Sequence, residues 1–216
     1  GIKTGLNEAF IITTEKREEI LRNCRTEEER KRTEAIIKPV LRGRDIKRYY
    51  YEWAGLWLIC TFPALKLNID DYPALKQYFL DNFDIRQLEQ SGKKYPELGF
   101  NARKKTGNKW FETQDQIAYY PEFEKEKVVW QRITQEPTFC IVEPGIVVLD
   151  SMAFFTGNNL KYITAILNSK LIYKYVKMVV HQYGFTGFRL SNQYVEVMPI
   201  PPITQDNHSI VSKIEE

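Results

Sequence analysis

The chain has 216 residues, 43% of them hydrophobic, which is enough to bury one large core or two small ones and excludes a disordered segment. Its formal net charge is only +3, from 31 cations against 28 acids, so a basic face has to arise by segregation of charge rather than by excess. Cys24, Cys60 and Cys140 lie far apart with no CxxC pair, which argues against a disulfide or zinc framework and for reduced thiols in a cytoplasmic protein.

No apolar run approaches the ~18 residues that span a bilayer, and no membrane association is expected. The N-terminus also lacks the basic, apolar and small-residue succession of a secretory signal. The opening "GIKTGLNEAF" has no initiating methionine and runs straight into ordered-looking sequence, which reads as an excised piece of a larger protein.

Along the chain, "AFIIT", Ala9 to Thr13, is a β-prone run, and Thr14 is placed to cap a charged helix through about Leu21. Thr26 and Glu29 match a capping box for a second short helix, ending before Pro39, with both helices read as solvated faces. "GLWLICTF", Gly55 to Phe62, is a nearly continuous apolar run of a length that suits a buried strand. From Tyr72 to about Glu89, Leu75, Tyr78, Phe79 and Phe83 keep helical spacing, with Asp70 or Asp71 as cap and Pro73 in the first turn.

Ser91 to Gln116 reads as a long loop carrying Arg103, Lys104, Lys105 and Lys109, with little to bury. "KVVWQRI", "TFCIVE" and "GIVVLD" follow at short spacing, separated by turn signals, and predict an antiparallel set. Leu160 to Val180 places Ile163, Ile166, Leu167, Leu171, Tyr175 and Val179 on one face of a long helix, and "PIPP" ends the regular structure. The fold class expected is therefore α+β, with a central, largely antiparallel sheet, flanking helices and a long C-terminal helix.

Little in this sequence supports catalysis. His181 and His208 have no spaced partners, no Gly-x-Gly occurs, and no catalytic or metal-ligating set is identified. One acid-x-Lys pattern, Asp45 to Lys47, has the form used by Mg²⁺-dependent nucleases, with Glu34 as its upstream acid. The same stretch, "GRDIKRYYYEW", admits two other readings: Asp45 pairs with Arg42, Arg44 or Arg48, or Arg44, Lys47 and Arg48 contact phosphates while the aromatics after them enter the core. "YGFTGFR", Tyr183 to Arg189, has a GxxG spacing and reads either as a glycine-hinged connection or as a ligand-contacting loop.

The order of "GIKTGLNEAFII", "IIKPVLRGRDIKRY", "LWLICTF", "YPALKQYF", "KVVWQRI", "AILNSKLI" and "MPIPPI" resembles the TaqI-type C-terminal specificity region of adenine-specific DNA methyltransferases, especially fused type IIG restriction-modification enzymes. The resemblance covers Gly1 to about Pro202. It implies a target-recognition domain for double-stranded DNA over 41–203, preceded by a connecting segment with short helices over 1–40 and followed by a tail over 204–216. It also implies that catalysis lies elsewhere: the family's Asn-Pro-Pro-Tyr motif is upstream, and none of the ten prolines here follows an asparagine. S-adenosylmethionine, and Mg²⁺ where a nuclease is fused, would then belong to the full-length enzyme, with the upstream methyltransferase domain as partner.

DNA recognition needs cations for phosphates and amide, guanidinium or hydroxyl groups for base edges. The expected phosphate set is Arg44, Lys47, Arg48, Arg103, Lys104, Lys105 and Lys109. The expected base set is Gln131, Arg132 and Gln135 in "WQRITQ", with Gln182, Tyr183, Thr186 and Arg189 in "HQYGFTGFR". A different class of function, an assembly module whose long helix and N-terminal helices bind a partner subunit, is the alternative.

Overall fold

The computed structural model describes residues 1–185 and 187–216, with Thr186 outside the described residues. Two compact units divide the chain: one comprises residues 2–40 and 55–120, the other Gly1, 41–54 and 121–216. The N-terminal 40 residues therefore share a core with a later segment instead of forming a separate connector. The architecture is α+β, but the strands form several small antiparallel sheets where one central sheet was expected.

The first unit is built on α1 (Asn7–Phe10), β1 (Ile11–Thr13), α2 (Thr14–Arg22), α3 (Glu27–Ala35), β2 (Ile37–Leu41) and β3 (Leu56–Ile59). The expected strand at Ala9 begins late, because Ala9 and Phe10 close a buried helical turn and only Ile11–Thr13 extends. β3 lies between β1 and β2, with Leu58 opposite Ile11 on one side and Lys38 on the other. A strand flanked on both edges and packed on its faces is apolar nearly throughout, which accounts for the "GLWLICTF" run.

Capping departs from the local reading in an instructive way. Thr13, one residue before the expected Thr14, caps α2 by accepting from the Lys16 amide, which leaves Thr14 Oγ1 to accept from Trp57 Nε1 at 3.0 Å. Thr26 caps α3 by accepting from the Glu29 amide at 3.1 Å. The Glu29 carboxylate is only 3% exposed and does not complete that box; it accepts from Arg25 N and, across the unit, from Ala74 N, each at 2.8 Å. α3 is consequently a structural helix and not merely a solvated face.

Ala74 is the second residue of α4 (Pro73–Asn82), so Glu29 supplies the N-terminal acceptor expected of Asp70 or Asp71. The predicted continuous helix to Glu89 breaks at Phe83, whose backbone is extended, and restarts as α5 (Ile85–Leu88) with Asp84 as its cap. Phe79 packs at 5.3 Å from the Phe10 ring and 6.0 Å from Trp110. The following segment is no free loop: β4 (Lys94–Tyr95) pairs with β5 (Phe100–Asn101), and the remainder is tied down by buried polar side chains.

The second unit contains β6 (Lys127–Gln131), β7 (Ile133–Thr134), β8 (Phe139–Val142), β9 (Val147–Val148) and β10 (Met152–Phe155). β6 is the middle of a sheet, with Trp130 opposite Phe139 in β8 and Ala153 in β10. "GIVVLD" yields only β9, and the third strand of this sheet is the "MAFF" run that follows. α6 (Leu160–Leu167) and α7 (Lys170–Val179) pack Leu160, Leu167, Ile172 and Val176 against Val128, Trp130 and Phe139.

These two helices replace the single long C-terminal helix expected. Asn168 interrupts it: its side chain accepts from Phe139 N at 3.0 Å and donates to Phe139 O at 2.8 Å, and Ser169 then caps α7 by accepting from Ile172 N. Beyond α7 come β11 (Gln182–Tyr183), β12 (Gly187–Arg189), α8 (Asn192–Val195) and α9 (His208–Glu215). α9 makes the expected tail part of the unit: Val211 is buried, and Glu215 accepts from the Tyr162 amide at 2.7 Å.

Candidate nucleic-acid interface

β6 does not run straight through "WQRITQ". The chain turns at Arg132, whose amide donates to Ser151 O at 2.9 Å and whose carbonyl accepts from Leu190 N at 2.6 Å. Past this corner, Ile133 and Thr134 leave the β6 sheet and pair with β12, which in turn pairs with β11. The result is a separate three-stranded antiparallel sheet in the order β11, β12, β7. The two segments singled out for base recognition, about 50 residues apart in sequence, are joined in this sheet by the pairs Phe188–Thr134 and Arg189–Ile133.

An open depression of about 380 Å³ lies over it, lined by Gln131, Ile133, Thr134, Gln135, Tyr183 and Phe185, with Gly187 at its floor. Its polar lining is the amides of Gln131 and Gln135 and the hydroxyls of Thr134 and Tyr183, and neither contributing segment contains an acid. Gln135 and Arg189 are exposed, and Arg189 forms no ion pair among the described residues. Arg132 is half-buried, with its guanidinium 3.5 Å from Asp150 O. The Gln182 amide is engaged locally, donating to Phe185 O across the β11–β12 turn, so its nitrogen serves the hairpin. Tyr183 is half exposed at the rim, and Thr186 lies outside the described residues.

The "LRGRDIKRY" stretch belongs to the same unit, and its parts separate by role. Arg42 grips Asp45 with two bonds, Nε to Oδ2 at 3.0 Å and Nη2 to Oδ1 at 2.7 Å, while Asp45 Oδ2 also accepts from Arg42 N. Of the three readings of this stretch, the pairing with Arg42 is therefore the one the geometry carries; both oxygens of Asp45 are taken, and Glu34 is paired with Arg17 at 2.6 Å. Those donor sets do not fit a divalent cation.

Lys47 is 3.8 Å from Glu52, and Arg48 is paired with Glu136. Arg44 is exposed and forms no ion pair among the described residues. Gly43 lies against Gln131: a Cβ there would meet Gln131 Cδ and Cγ at 2.8 Å, so the missing side chain makes room for the amide that edges the depression. Tyr51 does enter the unit, donating to Glu143 Oε2 at 2.7 Å, and burial with that carboxylate pushes its hydroxyl up to about 12. Tyr49 and Tyr50 are 61% and 56% exposed, contrary to the core role expected of them, because Tyr49 at φ 78° occupies a tight turn closed by Lys47 N to Tyr50 O.

The segment expected to be a basic loop is in part buried. Arg103 is only 4% exposed and its guanidinium donates to four carbonyls, those of Leu88, Thr4, Glu112 and Trp110. Burial lowers it to about 10, and four of its five N–H donors are spent on carbonyls inside the first unit. It is a structural residue and not a phosphate ligand. Lys109 Nζ donates to Leu67 O at 3.2 Å, whereas Lys104 and Lys105 are exposed and form no ion pair among the described residues.

Sequence reasoning passed over Ile133, Thr134 and Phe185 as lining residues. Phe185 is the most conspicuous at 99% exposure, and its one sequence signal was the glycine at each end of "GFTG".

The Type II methyltransferase M.BstVI of Geobacillus stearothermophilus is 26% identical over 181 residues, which is 77% of this chain and 28% of that protein. Among solved structures, the Type IIL restriction-modification enzyme MmeI in complex with DNA shares the fold, with a TM-score of 0.57 at 12% identity over 100% of this chain and 26% of that one. The chain thus spans less than a third of the length of either, by the shares of 28% and 26%. The family model of the TaqI-like C-terminal specificity domain matches residues 38–200, from within β2 to beyond α8 and through both halves of the candidate interface, and the chain belongs to that family.

Proposed function

We propose that this chain is the target-recognition part of an adenine-specific DNA methyltransferase, or of a type IIG enzyme in which methyltransferase and endonuclease are fused. The observation that carries the reading is the β11–β12–β7 sheet, which brings Gln135, Tyr183 and Arg189 onto one small surface around an open depression. Amide and guanidinium groups in a fixed frame suit this task, since glutamine pairs with adenine N6 and N7 and arginine with guanine O6 and N7. Arg44, Lys104 and Lys105 are the cations left available for phosphates, with Lys47, Arg48 and Lys109 able to join after exchanging their present partners.

In this reading the partners are double-stranded DNA and an upstream methyltransferase domain, and the cell compartment is the cytoplasm. S-adenosylmethionine, and Mg²⁺ for a fused nuclease, are held by the rest of the enzyme. The chain supplies the address and leaves base flipping and methyl transfer to that catalytic part.

The test places Arg189→Ala and Gln135→Ala singly in the full-length enzyme and sequences the methylated sites. Loss of a base contact costs ~1–3 kcal/mol at one base pair, so each variant should relax one position by roughly 5- to 150-fold and leave nonspecific binding nearly intact. If every position stays equally strict in both variants while activity persists, this sheet does not read bases.

A further inference from the structure

The proposed DNA recognition does not use the residue that stands out most from the surface. Phe185 is 99% exposed, more than any other large hydrophobic residue of the chain. A single exposed apolar side chain is ordinary on a protein surface, but this one has an unusual setting.

The tip is narrow and held from below. Tyr183 pairs with Gly187 to close the hairpin, and at Gly187 a Cβ would meet Tyr183 O at 2.9 Å, so the neck tolerates no side chain without shifting. At Gly184 the chain turns at φ +65°, and a Cβ there would have nothing within 4 Å among the described residues. Finally, the backbone at the ring is fastened, because the Gln182 amide donates to Phe185 O. The Phe185 ring is therefore exposed on a hairpin whose neck is closed by the Tyr183–Gly187 pair and whose backbone is fastened at Phe185, at the edge of the depression.

Its surroundings indicate what it meets. His181 to Leu190 carries Arg189 and no acid, Trp130 to Gln135 carries Arg132 and no acid, and the lining between them is amide and hydroxyl. Such a collar of amides, hydroxyls and an exposed arginine suits a polyanion that presents flat apolar faces between polar edges, which is duplex DNA.

We propose that Phe185 is an apolar wedge that enters the duplex at one base step in or beside the recognition sequence, unstacking it while Gln135 and Arg189 hold the flanking base edges. The proposal rests on the DNA-recognition reading and adds to it a deformation of the DNA, which makes the flexibility of one base step part of the specificity.

The experiment uses the full-length enzyme, with its recognition sequence first defined from its methylated sites. Duplexes carrying that sequence are made with 2-aminopurine at successive positions, excluding the methylated adenine and its partner, and emission is read on binding. The wild type should brighten one step several-fold. Phe185→Ala should abolish that signal and weaken cognate binding by roughly 5- to 150-fold, as for one lost aromatic stack, with random duplex bound within about twofold of wild type. Phe185→Trp should restore both. Because the side chain is 99% exposed, its truncation leaves the fold intact, which thermal melting of Phe185→Ala verifies.

If the wild type discriminates its site but no position brightens, or Phe185→Ala brightens the same step equally, the wedge is overturned and the recognition reading stands. If the wild type binds cognate and random duplexes alike, both are overturned.

Discussion

Arg103 and Lys127 do similar work in the two units. Each is a buried cation whose protons go to main-chain carbonyls, Arg103 to four and Lys127 Nζ to Phe123, Lys125 and Glu143 at 2.8–3.0 Å. Such a cation costs desolvation but satisfies carbonyls that irregular chain leaves without partners. Burial pushes Lys127 down to about 8 from 10.5, with the nearby carboxylates opposing the shift. Between those values the unfolded chain holds the proton more tightly than the folded one, so this group's contribution to stability rises as pH rises through the window. Lys127→Met should lower stability by about 2–4 kcal/mol near pH 7 through the stranded carbonyls. The gap between wild type and variant should then widen from pH 8 to 10.5, as read by urea unfolding at stepped pH. A gap independent of pH would mean that the lysine titrates in the folded state as it does in the unfolded chain.

At the scale of elements, two helices are capped from a distance. α4 has no side-chain cap from its own flank and receives the Glu29 carboxylate, while α6 starts at Asn159 in a left-handed conformation and receives that of Glu215. Both carboxylates lie at the positive end of a helix dipole, and both are invisible to any local search for caps. Asn168 is the third case, a side chain that imitates a strand by bonding both the N–H and C=O of Phe139. Asn168→Ala should leave those two buried groups unpaired and lower stability by about 2–5 kcal/mol in chemical unfolding. A loss below 0.5 kcal/mol, the range of a neutral surface change, would show that water replaces the amide without penalty. The apolar face expected over 160–180 holds Leu167 in the core but not beyond it: the backbone is extended at Ser169, and past that break Leu171 and Val179 are exposed while Ile172 and Val176 are buried.

For the molecule as a whole, the +3 net charge conceals a division between spent and available cations. Arg42 and Arg103 are consumed by structure, whereas Arg44, Lys104 and Lys105 form no ion pair among the described residues. The proposed function therefore predicts that this 216-residue chain binds random duplex DNA with Kd on the order of 10⁻⁴ to 10⁻⁶ M at physiological salt. Arg44→Ala, Lys104→Ala and Lys105→Ala combined should flatten the slope of log K against log salt by up to about three units, since each phosphate contact contributes ~0.9. Titration at four salt concentrations measures it, and an unchanged slope would remove these residues from the phosphate contacts. Arg103→Ala does not belong in that set, because its effect would be loss of fold.

The sequence by itself determined the α+β class, the buried strand at Leu56–Ile59, the antiparallel pairing of "KVVWQRI" with "TFCIVE", and the family, because these rest on apolar periodicity and on ordered strings that survive translation into any tertiary setting. Local chemistry also marked both segments of the candidate interface. What only the tertiary structure decided is which polar groups are already used. Arg103 and Lys104 are neighbours with the same charge, yet one is locked to four carbonyls and the other is exposed. The meeting of "WQRITQ" and "HQYGFTGFR" in one sheet was likewise settled by the corner at Arg132, where backbone bonds to Ser151 and Leu190 turn the strand. A hydrogen bond fixes partners through geometry, and sequence carries composition and spacing but not the long-range distances at which donors find acceptors.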